Sequence, residues 1–236
     1  MLELSNEDLK IKENAEEYAR SNKNRIAKEI ISKYPSETNP ISVFMAGSPG
    51  AGKTESSKRL IEEFDRKDAP ILRIDPDELR QYFQDYTGKN STLFQGATSI
   101  LAEKIHDLAI KKKISFVFDT TFSKIDKAKS NVQRSLDHNR LVQVIYVYQD
   151  PLQAWEFVKA RELKDGRHIP KESFIEEYFK ARTVVNQIKI DFPQVILYLL
   201  VKNIHGAVQD YQENIDNIDN YVKESYTTDT LNNMLS

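Results

Sequence analysis

Residues 47–54 form a glycine-rich segment whose residue types and spacing are suited to holding phosphate groups. The segment fits the pattern G-x-x-x-x-G-K-T and consists of Gly47, Ser48, Pro49, Gly50, Ala51, Gly52, Lys53 and Thr54. Glycines let backbone N–H groups curve around phosphates, the lysine reaches the β- and γ-phosphates, and the following hydroxyl ligates Mg²⁺. An ordinary glycine turn is the alternative, but an apolar run precedes the segment and a helical pattern follows it. We therefore predict a P-loop that binds ATP and Mg²⁺, with Lys53 acting in catalysis and Thr54 on the metal.

Two carboxylates follow residues 70–74, a mostly apolar run that is predicted to form a strand. Asp75 and Asp77 are two residues apart, so both can point into the mouth of a parallel sheet, where ligands bind. In a P-loop kinase, a carboxylate at this place can accept the proton of the acceptor hydroxyl, and we assign that role to Asp77. The alternative is that Asp77 only stabilises the start of a helix.

Asp119 directly follows a further apolar run, residues 114–118. A carboxylate after a buried strand is the Walker B arrangement, in which it orients Mg²⁺ or a water ligand of the metal. Aspartate is also a common turn residue, which is the alternative explanation. Because a P-loop precedes it, we predict that Asp119 contributes to the metal site.

Two arginines flank a glycine between two helical patterns. Arg161 and Arg167 are six residues apart, and Gly166 lies between them. Phosphoryl transfer spreads negative charge over the moving group, and a guanidinium can hold two of its oxygens at once. We predict that both arginines are catalytic and lie on a lid around residues 155–185, with a solvated basic loop as the alternative.

The ordered motifs GSPGAGKT, IDPDELR, FVFDTTF and RELKDGRHIP resemble those of the zeta toxins of bacterial toxin–antitoxin systems. The resemblance covers about residues 35–205. It implies an ATP-dependent kinase that phosphorylates the 3′-hydroxyl of UDP-N-acetylglucosamine. It also implies an antitoxin protein as a partner.

The resemblance assigns roles to individual residues as well. It implies a general base at Asp77, transition-state arginines at Arg161 and Arg167, and sugar-nucleotide contacts at Asp77, Glu103 and Thr121. Glu103 is located by counting back from Asp119 along the helix that precedes the third strand. Better-known members have glutamate where this chain has Asp119, and the shorter side chain favours metal contact through water.

Short apolar runs alternate with longer helical patterns through most of the chain. The predicted strands are residues 41–46, 70–74, 114–118, 141–148 and 195–201. A helix is predicted over residues 52–64, and residues 152–191 are predicted to be helical with a break at residues 164–167. This alternation predicts an α/β protein, a three-layer P-loop kinase fold with a parallel sheet and an N-terminal helical extension.

Three segments are predicted along the chain. Residues 1–40 form the extension, with one or two helices around a polar SNKN stretch, and residues 41–205 form the kinase core. Residues 206–236 form an acidic tail that is predicted to be helical and packed on the core. The extension is expected either to dock an antitoxin, to cap the active site in cis, or to be purely structural.

Composition narrows the class of protein. The absence of cysteine among 236 residues excludes disulfides and thiolate metal sites, and no apolar run is long enough to span a bilayer. Residues 41–202 carry a net charge of only +4, which argues against a nucleic-acid partner. We predict a cytoplasmic enzyme with neither a membrane nor a nucleic-acid partner. The alternatives are a P-loop kinase acting on a polynucleotide 5′-end or an antibiotic, and a nucleotide-controlled binding module.

Overall fold

The computed structural model describes residues 4–65 and 70–235, over which six strands form one sheet. The strands are β1 (Ile41–Ala46), β2 (Leu72–Ile74), β3 (Phe116–Asp119), β4 (Leu141–Tyr148), β5 (Ile196–Lys202) and β6 (Val208–Gln212). The helices are α1 (Asn6–Ile31), α2 (Lys53–Asp65), α3 (Gln95–Lys111), α4 (Ile125–Leu136), α5 (Pro151–Asp165), α6 (Lys171–Asp191) and α7 (Thr228–Met234). No helix within the described ranges is both long and apolar enough to cross a membrane. Residues 1–3 of the predicted extension and residue 236 of the predicted tail lie outside those ranges.

The sheet has the strand order β2-β3-β1-β4-β5-β6, and its first five strands are parallel. The predicted α/β fold with a parallel sheet is therefore confirmed. β1 lies between β3 and β4 and is almost wholly buried, as expected for a continuous apolar run covered on both faces. Its end is aligned with the end of β3, since Met45 pairs with Asp119. The P-loop and the predicted metal carboxylate therefore leave the sheet side by side.

Three strands begin later than the sequence-based prediction, β5 by one residue, at Ile196, and β2 and β3 by two. β2 begins at Leu72 rather than at residue 70, and β3 begins at Phe116 rather than at residue 114, because pairing starts where Leu72 lies opposite Phe116. Just before that point, the Leu72 N–H donates to the Ser115 carbonyl at 3.0 Å. Proline at position 70 has no N–H to donate to a neighbouring strand.

The N-terminal segment forms one continuous helix, α1, rather than two. Its start is fixed by a capping box between Ser5 and Asp8. The polar SNKN stretch does not interrupt it, because the buried residues Ala19 and Ile26 are seven positions apart and so lie on the same face. That face packs against α3, one of the helices that line the cavity described below.

The tail differs from the predicted helical segment in its first part. After a turn at Gly206, residues 208–212 form β6 antiparallel to β5, so the helical prediction is wrong there. The reason is that β5 presents an unpaired edge immediately before the turn, and a hairpin satisfies its backbone groups. The tail becomes helical only in a short 3₁₀ turn and in α7, where Leu231 and Leu235 are buried against α5 and α6.

Candidate active site

A cavity of about 490 Å³ opens at the carboxyl ends of β1, β2 and β3. Its walls are the P-loop, the turn after β2, the segment after β3, one face of α3, the start of α4 and the lid helices α5 and α6. This is the place where open parallel sheets bind ligands, and the volume is in the range of small-molecule sites. Except for Glu103, every residue assigned a catalytic, acceptor or metal role from the sequence lines it.

The P-loop is held in a conformation that requires glycine. Gly50 has φ +73°, and a Cβ there would lie 2.1 Å from the Ala154 carbonyl oxygen of α5. A Cβ on Gly47, which has φ +137°, would lie 2.4 Å from the Val147 carbonyl oxygen. The loop therefore passes so close to β4 and α5 that side chains are excluded at these two positions.

Lys53 folds back over the loop from the first position of α2. Its Nζ donates to the carbonyl oxygens of Gly47 at 2.9 Å and Ser48 at 2.7 Å. Burial lowers the pKa of Lys53, and the nearby carboxylates of Asp119 and Glu177 partly oppose that shift. The half-buried ammonium thus lies over the loop, where it can also meet an anion.

Asp77 lies at the mouth of the cavity between two arginines. One carboxylate oxygen accepts a hydrogen bond from Arg80 at 2.7 Å, and the other accepts one from Arg167 of the lid. Although Asp77 precedes a 3₁₀ turn, its side chain makes no capping hydrogen bond. The Asp77 carboxylate therefore does not cap this helical turn.

Asp75 is the buried member of the carboxylate pair. One of its oxygens accepts the Asp77 backbone N–H at 2.8 Å, which shapes the turn after β2. Burial raises the pKa of Asp75 to about 6, the negative charges of Asp119 and Asp77 add to the shift, and Arg73 opposes it.

Asp119 ends β3 beside the P-loop. Its Oδ2 atom accepts hydrogen bonds from Arg73 at 2.7 Å and from the Ser57 hydroxyl at 3.1 Å. Within the described residues, nothing donates a hydrogen bond to Oδ1. A carboxylate oxygen and the Thr54 hydroxyl on one cavity wall are hard oxygen donors of the kind that Mg²⁺ prefers. The residues present therefore fit the implied metal.

The two lid arginines reach the cavity from α5 and from the loop after it. Arg161 donates to the Glu55 carboxylate of α2 at 2.8 Å, and Arg167 donates to Asp77. These two arginines thus connect the segment around residues 161–167 both to α2 and to the turn after β2. Thr121 is also in place, since it lines the cavity and its carbonyl accepts the Gly47 N–H at 3.3 Å.

Glu103 is not among the residues that line the cavity, but it contacts the lining residue Lys127, and its predicted substrate contact stays a prediction. Its carboxylate lies 3.0 Å from Lys127 and 3.0 Å from Arg134, in a second groove, the outer groove, which shares Ser99 with the cavity. The α3 residues that line the cavity are Gln95, Gly96, Thr98, Ser99 and Ala102. Counting back from Asp119 gives a position four residues after Ser99, which lines the cavity, and one residue after Ala102, which also does.

Several cavity residues were missed by the sequence analysis. Lys124, Lys127 and Asn131 occur at the start of α4 with spacings of three and four, a helical pattern that could have marked one polar face. Glu177 of α6 also lines the cavity; burial raises its pKa, while Lys53 and Arg167 oppose that shift. Nothing in its local sequence separates it from the surface glutamates of the same helix.

Comparison with known proteins gives one matching family and several solved structures with a similar fold. The family described as Zeta toxin matches residues 24–216. A chain from the PezAT chromosomal toxin–antitoxin system of Streptococcus pneumoniae is similar in structure over 100% of this chain and 95% of its own, with 13% identity and a TM-score of 0.66. No curated protein matches the chain in sequence.

Two further structures share the fold. A chain of AvrRxo1-ORF1:AvrRxo1-ORF2 with sulphate ions has 15% identity and a TM-score of 0.59, over 90% of this chain and 70% of its own. A chain of AvrRxo1-ORF1:-ORF2 with ATP has 16% identity and a TM-score of 0.55, over 86% of this chain and 65% of its own.

Proposed function

Since the chain belongs to the Zeta toxin family and is a P-loop phosphotransferase, we propose that it transfers the γ-phosphoryl group of ATP to the 3′-hydroxyl of UDP-N-acetylglucosamine. One observation carries this proposal. A single cavity holds the P-loop, the carboxylate of Asp77 and both lid arginines, and it continues to a polar wall formed by α3 and α4. A phosphate donor and a hydroxyl acceptor can therefore meet at Asp77.

On the donor side, the triphosphate would lie in the P-loop, with Lys53 exchanging its loop carbonyl partners for β- and γ-phosphate oxygens. The AvrRxo1-ORF1:-ORF2 structure with ATP supports ATP as the donor for this fold. Mg²⁺, when bound with the nucleotide, would neutralise charge on the phosphates, and Thr54 and Asp119 would hold it.

On the acceptor side, the wall of α3 and α4 suits a sugar nucleotide. Lys124 and Lys127 offer two cations for a diphosphate, and Asn131, Thr98 and Ser99 offer hydrogen-bonding groups for hydroxyls, an acetamido group or a base. Glu103 supports this wall indirectly, because it contacts the Lys127 ammonium from outside the cavity.

The proposed reaction begins with Asp77 as general base. Its carboxylate takes the proton of the acceptor hydroxyl while the hydroxyl oxygen forms a bond to the γ-phosphorus. The bond from that phosphorus to the β–γ bridging oxygen breaks, and ADP leaves. Arg167 must exchange Asp77 for phosphoryl oxygens, and this exchange frees the base at the moment when the arginine meets the developing charge.

The test is a transfer assay with γ-labelled ATP, Mg²⁺ and a panel of UDP-sugars, nucleosides, antibiotics and oligonucleotides. We expect label on UDP-N-acetylglucosamine with the wild type and loss of that label with Asp77→Asn. Label on an oligonucleotide or an antibiotic, but on no UDP-sugar, would replace the proposed acceptor. Nucleotide binding without transfer to any acceptor would favour the binding-module alternative.

An antitoxin is the partner that we propose, because the PezAT structure is that of a toxin–antitoxin system. We place the enzyme in the cytoplasm, where a sugar nucleotide would be available to it. Co-expression with the product of the neighbouring reading frame tests the partner: restored growth and a co-purifying protein are the expected result.

A further inference from the structure

Arg73 carries a buried guanidinium behind the proposed metal site, and no role for it was predicted from the sequence. It lies in the middle of β2 with its side chain 9% exposed. Its Nη2 donates to Asp75 at 2.5 Å and to Asp119 at 2.7 Å, its Nε donates to the Ser57 hydroxyl at 3.1 Å, and its Nη1 contacts Glu78. Since Arg73 does not line the cavity, its effect on any ligand must pass through these partners.

Arg73 and Ser57 together engage one oxygen of Asp119. Both contacts go to Oδ2, and no donor from the described part of the chain reaches Oδ1. Ser57 lies three positions after Thr54 on α2, and its hydroxyl is also 3.0 Å from the Thr54 carbonyl oxygen. The Asp119 carboxylate is therefore tied to the same helical turn that carries the Thr54 hydroxyl.

We propose that Arg73 is a positioning residue that fixes Asp119 against α2, so that the remaining carboxylate oxygen and the Thr54 hydroxyl face one metal ion bound with the nucleotide. This inference rests on the proposed function for the presence of a metal–nucleotide complex, but not on the identity of the acceptor.

The positive charge of Arg73 does not oppose this role. It is shared among three carboxylates, those of Asp75, Glu78 and Asp119, so the cluster keeps a net negative charge that attracts a cation. The planar guanidinium donates to Ser57, Asp75 and Asp119 at the same time, an arrangement that a lysine ammonium cannot reproduce. Outer contacts of this kind commonly set the orientation of metal ligands.

The experiment measures metal binding without phosphoryl transfer. Mn²⁺ is titrated into the full-length protein saturated with ADP, and free Mn²⁺ is followed by electron paramagnetic resonance. We expect Arg73→Met to weaken Mn²⁺ binding by about 10- to 100-fold. Arg73→Lys should fail to restore it, because the charge is kept but the bridging geometry is lost.

Arg140→Met is the matched control. Arg140 is also a buried arginine, but it lies at the opposite end of the sheet, where it donates to Ser42, Ile41 and Ile114. Its replacement should lower the melting temperature and leave Mn²⁺ binding within twofold of the wild type. If Arg73→Met does not fold, Ser57→Ala takes its place, with a smaller loss of affinity in the same direction.

Unchanged or tighter Mn²⁺ binding in folded Arg73→Met would overturn the proposal, and so would an equal loss in Arg140→Met. Normal binding in Arg73→Lys would also overturn it, because charge alone would then suffice. Failure of the proposed acceptor is a separate result, since it would appear in the transfer assay while Mn²⁺ still bound to the ADP complex.

Discussion

Replacing Gly50 with alanine tests whether close contact between the P-loop and α5 fixes the phosphate site. The new Cβ would lie 2.1 Å from the Ala154 carbonyl oxygen, whereas Cβ contacts shorter than 3.0 Å are essentially never observed. The loop or α5 must therefore move by about 0.9 Å. Because a displacement of about 1 Å can cost about 100-fold in rate, we expect kcat/KM to fall by about that factor.

Gly206→Ala is the control, because it adds a Cβ at a left-handed backbone position without creating a steric clash. Gly206 has φ +76°, close to that of Gly50, but its new Cβ would meet only the Phe157 ring at 3.8 Å. Left-handed strain of about 1–2 kcal/mol, less about 0.4–1 kcal/mol from the restricted unfolded chain, leaves about 1 kcal/mol of destabilisation. Such a loss lowers the melting temperature by about 2–4 °C.

Steady-state kinetics and thermal unfolding of both variants separate a loss of activity from a loss of stability. Gly206→Ala should keep wild-type kcat/KM, whereas Gly50→Ala should lose activity under conditions where it is still folded. If Gly50→Ala keeps kcat/KM within threefold of the wild type, close contact with α5 does not fix the phosphate site. Equal losses of activity in the two variants would lead to the same conclusion.

Three further predictions follow from the site and the core. Asp77→Asn should lower kcat by about 10²- to 10⁴-fold with little change in the Kd for ATP, and an unchanged kcat would remove Asp77 as the base. Lys127→Ala should raise the KM for the acceptor by about tenfold or more without changing the KM for ATP, whereas Lys104→Ala, in the outer groove, should change neither. Burial lowers the pKa of His106 to about 3, below the value of about 6.5 in the unfolded chain, so the free energy of unfolding should decrease as the pH falls below about 6.5. The loss should be about 2 kcal/mol between pH 6.5 and pH 5 in chemical denaturation, and His106→Gln should abolish that component; an identical pH profile in the variant would contradict it.

The residues at strand ends were predictable from the sequence because parallel strands end at one edge of the sheet. That rule alone predicts that residues 47–54 and the carboxylates after β2 and β3 lie in one site. β1 and β4 were bounded correctly because both are short runs rich in β-branched and aromatic residues.

Helix faces and strand edges could not be predicted so easily. Ala102 lines the cavity, Glu103 lines the outer groove and Ser99 lines both, so the spacing along α3 alone did not place Glu103. β6 was missed because its pairing depends on the free edge of β5, a tertiary feature that the polar sequence of residues 208–212 does not reveal.

The partners of Arg73 are a third feature that could not be predicted from the sequence. A charged residue between Leu72 and Ile74 in a buried strand carries a signal, namely that burial demands partners. Its partners Ser57 and Asp119 are 16 and 46 residues away, so only the assembled sheet identifies them.

The hydrogen bonds from Arg80 and Arg167 to Asp77 bear on how much ATP would be hydrolysed without transfer to an acceptor. A kinase with an exposed base beside ATP can activate water as readily as a sugar hydroxyl, and it then consumes nucleotide without product. Here, two guanidinium groups engage the carboxylate that we propose as the base. An acceptor that fills the cavity and draws Arg167 towards the phosphates would release the base only when water has been displaced. The same ion pair would thereby protect the idle enzyme from futile ATP hydrolysis.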